Sequence, residues 1–350
     1  MSSVNTLEIC LPDDWHLHVR DGEFLPDLLR HTASQFGRAI IMPNLKPPVT
    51  NADMAIAYKT RILNALPPGS NFEPLMVLYL TDNTSADDVK RAKEVGVVGF
   101  KLYPAGATTN SDAGVTDIKK CADALDAMSD CGMPLLVHGE VTHSEIDVFD
   151  REAVFIDQVL EPLRARHPGL KVVFEHITTK QAAQYVESAD TTRFGAIAAT
   201  ITPQHMLYNR NAIFTGGIRP HYYCLPILKR EEHRQELVRV AISGNPRFFL
   251  GTDSAPHLKG TKENACGCAG CYTAWHAMPL YAEVFDAANA LSRLEGFASQ
   301  FGPDFYGLPR NTGKLTLRRE TQQIPNEFPM GNGTVVPLRA GETIAWSIVG

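Results

Sequence analysis

Leu11-Pro-Asp-Asp-Trp-His-Leu-His-Val-Arg20 is the stretch from which the rest of the chain is read. In an extended strand, residues i and i+2 point to one face, so His16 and His18 stand side by side and Arg20 continues the alternation. Two imidazoles placed this way can grip one ion, and imidazole suits zinc and similar transition metals. Two nearby histidines are more often ordinary surface or core residues than ligands, so the pair alone does not establish a metal site. Its surroundings do.

Outward from this stretch, apolar and β-branched runs recur. They are Leu7–Leu11 leading into His16–His18, Ala39–Asn44, Leu75–Thr81, Val97–Pro104, Pro134–Glu140, Lys171–Thr178, Phe194–Thr200 and Phe248–Asp253. Segments with helical patterning lie between them: Glu23–Gln35, Ala52–Leu66, Ser85–Val95, Thr116–Cys131, Ser144–His167, Thr179–Ser188 and Lys229–Ser243, with Tyr272–Leu294 after the last run. Asn51, Thr84–Asp87 and Thr178–Thr179 carry cap-like residues at helix starts. Such alternation implies parallel strands joined by helical crossovers. Eight of them over about 250 residues predict an α/β fold, a (β/α)8 TIM barrel. No Gly-rich phosphate fingerprint follows a strand, which disfavours a doubly wound sheet. The tail, about 311–350, has short strand-like pieces at Lys314–Arg318 and Thr343–Ile348. It reads as a small C-terminal appendage on one barrel domain spanning 1–350.

Bulk properties narrow the function. Hydrophobic content of 44% and charged content of 21% are those of an ordinary globular enzyme. The net charge of −6, with no basic stripe, argues against nucleic acid and anionic membrane as partners. The opening Met-Ser-Ser-Val-Asn-Thr-Leu-Glu lacks the regions of a signal peptide, and no apolar run approaches the roughly 18 residues of a membrane span. Seven cysteines, an odd number, argue against a disulfide framework and point to a reducing cytoplasm.

In a barrel of this kind, catalytic groups project from the C-terminal ends of strands. The runs end in His16, His18 and Arg20; in Met42-Pro-Asn44; in Gly99-Phe-Lys101-Leu-Tyr-Pro104; in His138-Gly-Glu140; in Glu175-His176; and in Gly251-Thr-Asp253-Ser-Ala-Pro-His257. Singly, each has a bland reading: a solvated lysine, a hydrogen-bonded core histidine, an aspartate capping a helix. Jointly, four histidines, a lysine and an aspartate would converge on one pocket, and no structural requirement asks for that.

This set resembles the ligand pattern of the amidohydrolase superfamily. The ordered pieces Asp13–Asp21, Met42–Leu45, Gly99–Pro104, His138–Glu140, Glu175–Ile177, Gly251–His257 and Cys266-Gly-Cys-Ala-Gly-Cys271 are similar to the short bacterial dihydroorotases over nearly the whole chain. The resemblance implies two Zn2+ per subunit. It assigns one to His16, His18 and Asp253 and the other to His138 and His176, with Lys101, carboxylated to N6-carboxylysine, bridging both. It implies reversible cyclisation of N-carbamoyl-L-aspartate to L-dihydroorotate, with Asp253 as the proton carrier. Arg20, Asn44, His257 and the backbone of Leu225 and Ala269 would bind the substrate. The loop Ala105–Gly114 would be a lid that reaches the substrate through Thr108 and Thr109, and the subunit would form a homodimer in the cytoplasm.

Two rivals stay open. One is another binuclear amidohydrolase of cyclic amides, such as a hydantoinase, which has no need of Arg20 for a carboxylate. The other is a non-catalytic zinc protein using Cys266, Cys268 and Cys271. That spacing resembles part of a thiolate site, but a closed site wants four ligands, and Cys224 is the distant candidate for the fourth.

Overall fold

The computed structural model describes residues 5–349. Met1–Val4, part of the opening read above for signal-peptide features, lie outside the described residues. The strands are β1 (Thr6–Cys10), β2 (Asp13–Leu17), β3 (Arg38–Ile41), β4 (Glu73–Tyr79), β5 (Gly99–Leu102), β6 (Leu135–Val137), β7 (Val172–Phe174), β8 (Ile197–Ile201), β9 (Phe248–Leu250), β10 (Lys314–Gln323), β11 (Phe328–Met330), β12 (Gly333–Val335) and β13 (Thr343–Ile348). β2 to β9 form one eight-stranded sheet in sequence order, and every neighbouring pair is parallel. The sheet closes through single backbone bonds: Asp253 N donates to His16 O (2.8 Å) and His18 N donates to Ser254 O (3.1 Å). The architecture is therefore a (β/α)8 barrel.

Two layers of apolar side chains hold it together. Inside the barrel, Trp15, Ile40, Val77, Leu136, Val173 and Phe249 pack with one another. A helix at Phe301–Tyr306 stoppers one end, with Tyr306 stacked on Trp15 at 4.6 Å between ring centroids. Outside, the helices lay apolar faces on the sheet; Leu25 and Leu29, Ala55 and Ile62, Val89 and Ala92, and Leu237 and Val240 belong to one continuous core. The helices begin where capping chemistry places them. Asn51 Oδ1 accepts from Met54 N (3.0 Å), Ser85 and Asp88 form a reciprocal capping box, and Thr179 Oγ1 accepts from Ala182 N (3.1 Å).

The structure corrects the sequence reading in four places. The run Leu7–Leu11 is not part of the first barrel strand; it forms β1, paired antiparallel with β10 of the tail. The strand through the histidines ends at Leu17, and Arg20 has φ +58°, so strand alternation does not place its side chain. The helix expected from Ser144 starts only at Arg151, after a turn segment, and contains a π-helical turn at Ile156–Leu160. The tail is more ordered than two short pieces: β10 runs ten residues, and β11–β12 add a hairpin. Alternation within a strand cannot tell which sheet the strand joins, which explains the first error.

The three-stranded sheet β1-β10-β13 lies on the barrel, fastened to the helix Ala277–Ala287. Glu283 accepts from Ala345 N (2.7 Å), Asp286 pairs with Arg319, and His276 Nε2 donates to Leu338 O (3.0 Å). His276 is fully buried and its Nδ1 has no partner. Burial pushes its pKa down to about 3, and pushes His31, which packs on Phe328, down to about 4. Both rings are therefore neutral in the fold, whereas an unfolded histidine titrates near pH ~6.5.

Two outcomes follow from this packing. Between these folded values and about pH 6.5 the unfolded chain binds more protons, so stability rises with pH there. The contribution of these two rings to the thermal midpoint should be flat above about pH 7 and fall progressively as pH drops below about 6.5, so His276→Gln should show a shallower fall over that range than wild type. At the stopper, a Cβ on Gly302 would sit 1.9 Å from Trp15 Nε1. Gly302→Ala should therefore cost about 2 kcal/mol or more of unfolding free energy, read by denaturant titration.

Candidate metal centre and substrate pocket

His16 and His18 come together at the barrel seam. The register of β2 against β3 slips between Asp14 and Leu17, so one extra residue is accommodated there. Such bulges re-aim side chains at barrel rims. Here consecutive residues serve different ends, with Trp15 in the barrel core and His16 lining the pocket. Asp253 follows β9 with φ +45°, a left-handed backbone unusual for a non-glycine residue and of the kind found where function requires it. Its Oδ1 lies 3.2 Å from His18 Nε2 and 3.4 Å from His16 Nε2. One ligand atom from each of these three residues falls within 4.8 Å of the others, and among the described residues this is the one such group.

Lys101, His138 and His176 complete a continuous patch. The rings of His16 and His176, and of His138 and His176, are each 4.8 Å apart between centroids. His176 also has a positive φ, +39°. Lys101 Nζ is wholly buried, 5.2 Å from the centroid of the Tyr103 ring, and has no hydrogen-bond partner. A bare ammonium left this way is costly. Converted to a carbamate, the same side chain presents two oxygens.

Carboxylates behind the imidazoles fix which nitrogen faces the pocket. Glu175 Oε2 accepts from His16 Nδ1 (2.8 Å) and from Thr200 Oγ1 (2.6 Å), and Thr200 Oγ1 accepts from His176 N (2.7 Å). Glu140 Oε2 accepts from His138 Nε2 (2.8 Å), leaving Nδ1 of that ring as the free ligand atom. Asp14 accepts from His16 N (3.1 Å), Thr252 N (2.9 Å) and Thr252 Oγ1 (2.6 Å), tying the first strand to the last. Buried carboxylates behind histidines are the usual outer partners of metal-ligating rings.

Burial sets the electrostatics. It pushes His16 and His176 well below the ordinary histidine value and lowers His18, so these rings are neutral and able to ligate. It lowers Lys101 to about 8 and raises Asp14 and Glu175 to about 7 each. A pair of divalent cations would draw both carboxylates back to their ionised form. The donor set fits such a pair: four imidazoles, two of them held in one tautomer, an acidic ligand between His16 and His18, and a buried, partnerless amine nearby.

The remaining predicted residues surround this patch. Arg20, Asn44, Thr108, Thr109, Leu225 and Ala269 line the inner cavity with the histidines and Asp253, while Lys101 is fully buried and does not line it. The loop 105–114 crosses the mouth and leaves an inner space of about 20 Å3. Asn44 Nδ2 donates to Thr109 O (3.1 Å), Asn110 Nδ2 donates to Asn44 O (3.0 Å), and Thr109 Oγ1 reaches Ala269 O (3.5 Å). Outside lies a cavity of about 540 Å3, with Arg20, Asn44 and Thr109 on the dividing wall and His257 on the outer side. Arg20 Nε donates to Pro256 O (2.8 Å), and its Nη2 lies 3.0 Å from His257 Nε2. Of the cysteine loop, Cys266 is exposed, Cys268 faces the outer cavity and Cys271 is buried. Their thiols form no metal-holding group among the described residues.

The sequence reading passed over Asp14, Glu140 and Glu175 as functional groups. A signal existed, because three of the four histidines, His16, His138 and His176, have a carboxylate within two positions. Glu175, however, serves His16 across the barrel rather than its neighbour His176, and no local pattern shows that.

The profile of the amidohydrolase family matches residues 13–320. The chain is 67% identical over 347 residues to a dihydroorotase of Ralstonia nicotianae, covering 99% of this chain and 100% of that one. Its fold superposes on the crystal structure of dihydroorotase from Campylobacter jejuni with a TM-score of 0.90 at 37% identity, covering 100% and 99% of the two chains. The dihydroorotase of Saccharomyces cerevisiae in complex with 5-fluoroorotic acid matches with a TM-score of 0.88 at 34% identity, covering 99% of both.

The carboxylate behind His16 yields a direct expectation. Glu175→Gln keeps the shape but lets His16 adopt the wrong tautomer, and should weaken metal retention by about 10–100-fold. Metal content after graded chelator dialysis reads this out, and unchanged retention would count against the role.

Proposed function

We infer the reaction from the premise that the chain belongs to the amidohydrolase family and, within it, to the dihydroorotases. It catalyses the reversible cyclisation of N-carbamoyl-L-aspartate to L-dihydroorotate with loss of water, a step of pyrimidine biosynthesis. The hydantoinase alternative is not favoured, because the relatives matched over almost the full chain at 64–69% identity are dihydroorotases. The observation that carries the site reading is the buried, partnerless amine of Lys101 beside a pocket lined by His16, His18, His138, His176 and Asp253.

In this reading His16, His18 and Asp253 would hold one zinc ion and His138 and His176 a second, and Lys101, as N6-carboxylysine, would be a ligand to both. Its lowered pKa leaves a neutral fraction of amine, whose lone pair bonds to CO2 carbon with loss of one N–H proton. Bound there, the zinc pair supplies Lewis acidity, polarising a carbonyl oxygen and making water acidic near neutral pH.

The chain's own groups do the rest. Asp253 takes a proton at a carboxylate oxygen from the water whose oxygen bonds to the ring carbonyl carbon, and delivers it to the ring nitrogen as the C–N bond breaks; in the cyclising direction it carries the proton back. Arg20 pairs with the substrate's carboxylate, its guanidinium held by Pro256 O. Asn44 donates an amide N–H, and the backbone of Leu225 and Ala269 meets the ring amide. Loop 105–114 closes over the site through Thr108 and Thr109 and excludes water. A ring carboxylate is what the yeast relative's ligand, 5-fluoroorotic acid, also presents. The same reading makes the protein a cytoplasmic homodimer with a small-molecule substrate. No described helix is long and apolar enough to cross a membrane.

A direct assay of dihydroorotate hydrolysis tests this. Arg20→Met should raise KM about 10–100-fold, the worth of a charge-assisted pair, with no gain on a ring lacking the carboxylate. Asp253→Asn should lower kcat by about a hundredfold or more. Wild-type protein that is inactive with zinc and bicarbonate supplied would overturn the reading.

A further inference from the structure

Lys262 ends a short helical turn, Lys259–Lys262, and its side chain is buried. Its Nζ donates to three backbone carbonyls: Tyr223 (3.0 Å), Cys268 (2.8 Å) and Gly270 (2.6 Å). All three ammonium protons are thereby used. Its strongest electrostatic neighbours are the thiols of Cys271, Cys224 and Cys268 and the guanidinium of Arg20, and the imidazoles of His221 and His257 also feel its charge. Burying a cation against carbonyls alone costs free energy that packing does not require, since an apolar side chain of that length would fill the same space.

The three carbonyls explain the arrangement. They belong to two loops that meet here, one carrying Leu225 and the other Ala269, and both residues line the inner cavity. Gly270 N also donates to Tyr223 O (3.0 Å), so the lysine closes a junction between the loops. Cys268 O and Gly270 O flank Ala269 on either side. In a planar trans peptide the C=O and the following N–H point in opposite directions. Fixing the carbonyl of Cys268 therefore fixes the N–H of Ala269, while Ala269 O is held by His257 Nε2 (2.9 Å).

We propose that Lys262 is a positioning residue for substrate binding: a buried ammonium staple that sets the backbone of the Leu225 and Ala269 loops against the ring amide. This rests on the dihydroorotase reading given above. Catalytic groups and metal ligands lie on other elements, so loss of the staple should fall on substrate affinity.

The test compares wild type, K262M, K262R and, as a control, R20M, with KM and kcat for dihydroorotate and N-carbamoyl-L-aspartate, metal content and thermal midpoint. K262M should raise KM about tenfold, the effect of losing hydrogen bonds to a charged group. Its kcat should stay within about threefold and its metal content should match wild type. K262R should recover part of the lost affinity. KM unchanged in K262M overturns the proposal, as does a lowered kcat with KM unchanged and a lowered thermal midpoint, the pattern of a merely structural residue. If K262M does not fold, K262Q carries the same KM comparison. An inactive wild type, or an R20M variant with unaltered KM, would instead sink the dihydroorotase reading itself.

Discussion

The barrel closes where its first and last strands meet without a regular ladder, and one buried carboxylate reinforces the two backbone bonds made there. Asp14 takes three hydrogen bonds, two from Thr252 and one from the backbone of His16. The same junction brings His16, His18 and Asp253 within ligand distance of one another. Closure of the fold and assembly of the candidate metal centre are thus a single event. A buried carboxylate without those donors would carry a large desolvation cost. With them it both seals the barrel and orients the first ligand strand.

From that seam, a second constraint spreads around the rim. Imidazoles packed this close would repel one another if protonated, and burial keeps them neutral. Glu175 and Glu140 hold two of the rings in one tautomer, and Thr200 links Glu175 to the backbone of His176. Left-handed backbone at Arg20, His176 and Asp253 turns each side chain off its strand end into the pocket. Such strain persists only where surrounding structure over-determines it. Here the hydrogen bonds of Tyr58 to Arg20 O and of Asp253 N to His16 O do so.

Much of this was legible in the sequence. Strand and helix alternation gave the barrel, and the polar residues ending the strands gave the pocket, because period-two patterning and strand-end position are local properties. What was not legible is long-range. The run Leu7–Leu11 has the pattern of a barrel strand, yet its partner lies some three hundred residues away in the tail. Arg20 was placed in the pocket for the wrong reason, strand phase, when a positive φ past the strand end is what aims it. The pairing of Glu175 with His16 and the staple from Lys262 join residues far apart in sequence, and no spacing rule reaches them.

The central claim is that Lys101 becomes a carbamate and that this builds the working metal site. The most direct measurement is carbon-13 NMR of metal-depleted protein given zinc and 13C-bicarbonate, with dihydroorotate hydrolysis followed on the same sample. The account predicts a carbamate resonance that grows in step with activity and is absent, with the activity, in Lys101→Ala. Full activity restored by zinc with no carbamate resonance would contradict it.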